Sequence, residues 1–307
     1  GFPGTNTYSF TEPEHPWTNH EWLFQVVTAV IGPGAGEKTG PGIHRWNTLR
    51  SLLSLVLLGV LIFGDGNLAR IRRAAGTDGA RTWLAFPLLM GIMLSWPRFT
   101  MRPEMVSSIL FVLVVRALDH PSPCWTPPNT WKDLVDPRLP LGRVFWLTVL
   151  WTQFHGFSSL VVAVFLLAIG ARLLEGSLGW PRASAGGPEQ KGRWLLAVPL
   201  LMIGLCLSPT GIDGLLYPLQ ALGQFQGSGT HLQTTISELV PLLKTRDSLG
   251  FTLLAFKLSL AWGVIWSLAT WGRTSLLRIF LWLAAAAAAY AGQRNIGFYG
   301  LAFILLH

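Results

Sequence analysis

The sequence predicts an all-α, polytopic transmembrane helical bundle of about eight spans, with an interfacial helix near its start. Three observations predict it. Half of the 307 residues are hydrophobic and only 12% are charged, against roughly 25% in an ordinary soluble domain. Mean hydropathy is +0.44, and apolar runs recur along the whole chain, separated by loops rich in Pro, Gly and Arg. Fifteen Trp suit a protein with two lipid–water interfaces to anchor.

Residues 1–47 read as an outer-side unit. The first twenty are polar and rich in Pro, Thr, Asn and His. Glu21–Gly32 is apolar but shorter than the ~20 residues a span needs, which assigns it to a helix lying in the interface. Pro33–Asn47 is a Gly/Pro loop. Residues 48–307 form the transmembrane helical domain. Its first apolar runs are Thr48–Gly64, Thr82–Trp96, Glu104–Leu118, Arg143–Phe154 and Phe157–Leu174. Trp194–Leu207, Gly250–Thr270 and Ser275–Gly292 follow, and a last run begins at Asn295. Pro97–Pro103 is a tight reversal. Residues 119–142 form a Pro-rich loop with a short helix at Trp131–Val135, His155-Gly156 is a polar break, and 209–249 is a mixed outer-side segment. Several runs are nearer ~15 than ~20 residues, so their helices either recruit interfacial Trp and Arg or insert only in part. Ala284–Ala289 gives one helix a very small face for close packing. Gly1 at the start and an apolar run still open at His307 read as cut ends.

The formal charge is +8, and its distribution orients the bundle. Loops 65–81, 119–142, 172–193 and 271–278 hold twelve of the 23 Lys and Arg, among them Arg70, Arg72, Arg73, Arg182 and Arg193. Such loops are retained on the cytoplasmic side. The basic balance is therefore a topology signal, and no basic patch interleaved with stacking aromatics points to nucleic acid. Cys124 and Cys206 form neither a metal-ligand spacing nor a disulfide framework.

This partition collects the membrane-depth polar residues on the outer side. They are His20 and Glu21 at the head of the interfacial helix, Arg98 and Arg102 in the tight turn, and Gln153 and His155 at the break. Lys257 and the Arg294-Asn295 turn complete the set. Ionisable groups at membrane depth are costly and mark sites or pathways, so the set predicts one outward-facing cavity. Each member also has a bland reading: lipid headgroup contact for Arg98 and Arg102, snorkelling for Lys257, packing for His155, a favourable helix N-terminal charge for Glu21. Several cations with neutral His and Gln suit a phosphate, because Arg offers oxygen atoms a planar fork and Lys a point charge. An obvious phosphate-bearing ligand at an outer membrane face is a lipid-linked sugar, and its transfer needs a carboxylate as general base. Glu21 is the best placed of the candidates, which include Glu12, Glu14, Asp213 and Glu238.

The strings Tyr8-Ser9-Phe10-Thr11 and Pro16-Trp17-Thr18-Asn19-His20-Glu21-Trp22-Leu23 resemble a group of large bacterial membrane proteins, most of them without an assigned activity. Arg102-Pro103-Glu104-Met105, Trp151-Thr152-Gln153-Phe154-His155-Gly156, Ser208-Pro209-Thr210-Gly211 and Arg294-Asn295-Ile296 agree in order, so the resemblance covers nearly the whole chain. That group is similar to the GT-C superfamily of polytopic glycosyltransferases, which includes the dolichyl-phosphate-mannose-dependent protein mannosyltransferases. The resemblance implies a polyprenyl-phosphate sugar donor, work on the outer face of the bacterial inner membrane, and a catalytic acid just after a first transmembrane helix, upstream of Gly1.

The expected function is a membrane glycosyltransferase, with Glu21, His20 and His155 catalytic and Arg98, Arg102, Lys257 and Arg294 holding the carrier phosphate. No cofactor is identified, and a divalent metal is left open, since no tight Asp/Glu/His cluster is visible. The partners implied are membrane lipid and the polyprenyl-phosphate donor, with other membrane subunits as the rival expectation: the same fold serving as a non-enzymatic subunit of a larger complex. A transporter or flippase of an anionic lipid-linked substrate ranks last, because only one helix break is visible where inverted repeats need two.

Overall fold

A computed structural model gives the fold. It describes residues 21–32, 40–63, 78–96, 102–119, 135–137, 139–180, 197–216, 250–292 and 295–307, with the backbone alone for 78–84 and 250. Every regular element among them is helical. They are α1 (Trp22–Ile31), α2 (Pro41–Phe63), α3 (Asp78–Ser95), α4 (Pro103–Asp119) and α5 (Pro140–Phe154). A 3-10 turn follows (Gly156–Ser159), then α6 (Leu160–Ser177), α7 (Ala197–Cys206), α8 (Gly250–Ala269), α9 (Leu276–Ala291) and α10 (Ile296–Leu306). The second basic loop beyond Trp180, the short helix expected at Trp131–Val135 save for Val135, and most of the 209–249 segment lie outside the described residues.

Three stretches are long and apolar enough to cross a membrane: Pro41–Ile62, Gly156–Ser177 and Phe251–Ala269. The other apolar helices are shorter, α1 and α7 having 10 residues each and α9 having 16. At 1.5 Å per residue, a 10-residue helix covers about half of a ~30 Å hydrocarbon core. Of the about eight spans expected, three have the full length and composition among the described residues. The outward faces are apolar all the same: Leu55, Leu89, Ile265 and Leu268 are each more than half exposed. Large apolar side chains in that density on an outer surface are costly in water and ordinary against lipid.

The first long helix starts earlier than expected. The Gly/Pro content of 33–47 reads as loop, yet α2 begins at Pro41. Proline is compatible with the first helical turn, where no N–H partner exists. Gly40 at φ 128° turns the chain in a conformation that side-chain-bearing residues rarely adopt.

The core centres on α4, whose Val112, Val114, Val115 and Leu118 are wholly buried. It packs on α2, α5, α6 and α10, while α10 lies between α3 and α9. Side-chain bonds fix the topology. Trp151 Nε1 near the end of α5 donates to Ser107 Oγ near the start of α4 (2.9 Å), so these helices are antiparallel. Ser95 Oγ at the end of α3 donates to the Gly297 carbonyl at the start of α10 (3.0 Å).

Opposite ends of the bundle therefore carry different chemistry. At one end lie the closing turns of α2, α4 and α6 and the start of α9. There Arg116 donates from Nη2 to the Leu61 carbonyl (2.9 Å) and from Nη1 to that of Val60, satisfying two carbonyls that the end of α2 leaves open. Asp119, Glu175, Ser275 and Arg278 form a buried polar junction beside them. All four basic loops adjoin this end. The start of α1, the α3–α4 reversal, the α5–α6 break and the start of α10 share the opposite end.

Candidate active site

The candidate site begins at a helix end. The chain leaves α5 after Phe154 because His155 adopts an extended backbone (φ −161°, ψ 142°). The 3-10 turn that follows reverses direction into α6. His155 is 4% exposed, its ring edge-on to Phe157 at 4.4 Å between centroids, and Phe157 rests on Phe298 of α10 (6.0 Å). The Phe157 N–H donates to His155 Nδ1 at 3.4 Å. With Nδ1 accepting, the proton of the neutral imidazole sits on Nε2. That atom is 3.3 Å from Glu21 Oε1.

Glu21 occupies the residue before α1, and its side chain makes no capping bond to the helix it precedes. The bland reading of Glu21 as a helix-end charge expects the carboxylate over the first N–H groups. It is turned instead to His155, 134 positions along the chain. The Glu21 side chain is 41% exposed and that of His155 5%. One partner is fixed in the fold and the other faces out, the arrangement of a carboxylate oriented from behind.

Gln153 anchors this unit. Its Oε1 accepts from Trp22 Nε1 (3.1 Å) and its Nε2 donates to the carbonyls of Leu207 (2.9 Å) and Val149 (3.1 Å). Thr152 Oγ1 adds a bond to the Leu205 carbonyl (3.2 Å). The last turn of α5 thereby satisfies the open carbonyls where α7 ends and holds the head of α1. Ser208 and Thr210 pair by their hydroxyls just beyond (2.7 Å). Trp22 was missed in the sequence as a positioning residue; its place beside Glu21 in the Asn19–Leu23 string was the one available signal. Gln153→Leu should lower stability by about 1 kcal/mol, since it removes a half-buried bond from the Trp22 indole and the bond to the Leu207 carbonyl. Adding Trp22→Phe should cost less than it does alone, a coupling measured by a double-mutant thermal-unfolding cycle.

The remaining predicted residues divide. Arg102 lies exposed at the turn into α4, its carbonyl accepting the Met105 N–H (3.0 Å). It is at the same end as Glu21 and His155. Asn295 stands before α10 and donates from Nδ2 to the Ala288 carbonyl of α9 (2.9 Å), at that same end. Lys257 stands apart. It is exposed on α8, one residue past Phe256, which packs on Tyr299, and two before Ser259, which bonds it. Asp213 is exposed beyond α7. His20, Arg98, Arg294, Glu12, Glu14 and Glu238 lie outside the described residues.

Among the described residues no group of three or more His, Cys, Asp or Glu side chains comes together to hold a metal. Glu21 and His155 offer one oxygen and one nitrogen, and the nitrogen that faces the carboxylate carries a proton. The pair can accept a proton on oxygen and orient a hydroxyl beside it. Compared with protein-family models, curated proteins and solved structures, the chain found no match in any of the three.

Proposed function

We propose that the protein is a multi-pass glycosyltransferase of a bacterial inner membrane that uses a polyprenyl-phosphate sugar at the outer face. The observation that supports it most is the exposed Glu21 carboxylate backed by buried His155 at 3.3 Å. It lies at the end of the bundle remote from the basic loops, with Arg102 at the same end. The shorter helices complete the bundle in this reading as partly inserted or tilted segments.

The acceptor hydroxyl gives its proton to Glu21 as its oxygen attacks the anomeric carbon. The bond from that carbon to the phosphate oxygen breaks, with inversion, and the carrier phosphate leaves with the electron pair. His155, donating from Nε2, holds the Glu21 carboxylate in register for the acceptor. Arg102 meets the charge that grows on the leaving phosphate, where a guanidinium fork gives more than a point charge.

The test is turnover of a radiolabelled polyprenyl-phosphate sugar by the full chain in proteoliposomes. Glu21→Gln keeps the shape and removes the base; transfer should fall about a hundredfold or more while carrier binding persists. Arg102→Ala should weaken carrier binding. Undiminished transfer by Glu21→Gln rejects the assignment of the base. Absence of turnover in the wild type, together with a stoichiometric membrane partner on purification, replaces the enzyme reading with the subunit reading.

A further inference from the structure

The other end of the bundle carries a second feature that owes nothing to the proposed chemistry. A groove of about 800 Å³ runs between α2, α4 and α5. Its walls are Val56 and Gly59 of α2, Leu113 of α4, and Leu147 and Leu150 of α5. The α2 and α4 walls lie in the halves nearest the basic loops, and Leu147 and Leu150 carry the α5 wall from there toward the middle of the bundle. Val56 and Leu150 are nearly half exposed, so the groove opens sideways on the apolar surface.

Its rim is cationic. Arg116 and Arg143 both line it. Arg116 is fixed by the Val60 and Leu61 carbonyls and Arg143 by that of Pro137 (3.1 Å from Nε). These bonds hold both guanidinium groups on the lining of the groove. Trp146, half exposed, donates from Nε1 to the Val135 carbonyl (2.8 Å) at the same level, the position of an interfacial anchor. An apolar trough in the hydrocarbon zone with arginines at its headgroup end is complementary to one occupant: a lipid with an acyl chain and an anionic head. Basic pockets between spanning helices on the cytoplasmic side bind such headgroups.

We infer that this groove binds an anionic phospholipid of the leaflet beside the basic loops, its acyl chain along Gly59 and Leu150 and its phosphate on Arg116 and Arg143. Gly59 makes the inference testable. A methyl group there would meet no atom within 4 Å, so a large side chain enters the trough without disturbing a neighbour. The experiment is native mass spectrometry of the full chain released from detergent after incubation with phosphatidylglycerol, phosphatidylcholine or inorganic phosphate.

Wild type should retain phosphatidylglycerol in preference to phosphatidylcholine. Arg143→Ala should reduce that retention about fivefold, the effect of one basic residue near a lipid phosphate. Gly59→Phe should abolish it with helicity and melting unchanged. Should Gly59→Phe fail to fold, Leu150→Trp, at an exposed position on the facing wall, takes its place. Retention that survives the blocking variant, equal retention of phosphatidylcholine, or displacement by inorganic phosphate overturns the inference. So does a dimer that the blocking variant dissociates, which would make a second copy of the chain the occupant.

Discussion

Asp119→Ala should destabilise the fold by about 3–5 kcal/mol, the penalty for removing one partner of a buried ion pair. Asp119 ends α4 and is 4% exposed. Its Oδ1 accepts from Ser275 Oγ and its Oδ2 from Arg278 Nε, both at 2.5 Å. Ser275 Oγ in turn accepts the Arg278 N–H as the N-cap of α9 (3.4 Å). Beside it Glu175, 1% exposed and closing α6, accepts the Leu276 N–H at 2.7 Å. Two carboxylates thus sit over the first turn of α9, where the helix dipole favours negative charge. Loss of Asp119 leaves Arg278, whose side chain is 15% exposed, as an uncompensated cation among apolar helices. The measurement is thermal unfolding in a fixed detergent. Arg278→Leu in the Asp119→Ala background should recover much of the loss, because the isolated charge rather than the missing attraction is the larger cost.

Gly91→Leu should be of comparable severity, at least about 3 kcal/mol, for the opposite reason: atoms added where none fit. Gly91 of α3 and Gly300 of α10 face each other. A methyl group on Gly91 would lie 2.7 Å from the Gly300 carbonyl oxygen, and one on Gly300 2.6 Å from the Gly91 oxygen. Ser95, one turn after Gly91, bonds the Gly297 carbonyl on the same face. Small residues spaced by a turn let two backbones approach this closely, which is how helices gain packing energy where lipid supplies no hydrophobic drive. Besides the Ile304 and Ser95 side chains, the obstacle on both sides is a backbone oxygen, which cannot rotate away. Gly59→Leu is the control: open space surrounds it, and its stability should change little.

The sequence carried the helices and their ends because both rest on local chemistry. Pro97 and Pro103, the His155-Gly156 break and the Gly292–Asn295 turn interrupt apolar runs that would otherwise continue. Loop charge sorted those turns into two sets, and the bonds from Ser95, Arg116 and Trp151 place the flanking helix ends in the same two sets. The helix lengths were less legible. Pro41 and Gly40 resemble loop in composition and act as a helix start. For the candidate site, the sequence offered members and no contacts. Glu21 and His155 were both singled out by costly polarity, but their pairing depends on how α1 lies against α5. Lys257 shows the converse. Polarity at depth marked it, while the face by which α8 packs is set by Phe256 and Ser259, and the lysine looks away. The phospholipid groove left no trace in the sequence, because three helices far apart in the chain each contribute a wall that reads as ordinary apolar residues.

The two poles of the bundle are fastened differently. Near the basic loops, buried carboxylates, a guanidinium and a helix cap bind α4, α6 and α9 into one unit. At the far pole, α1 is tied through half-buried or exposed groups, Trp22 to Gln153 and Glu21 to His155. The head of α1 is thus held by more exposed groups than the buried junction at the other pole, and its local opening should cost less than opening that junction. In the proposed transfer, a bulky acceptor at Glu21 would approach this more yielding pole, while the remote pole keeps the helices in register.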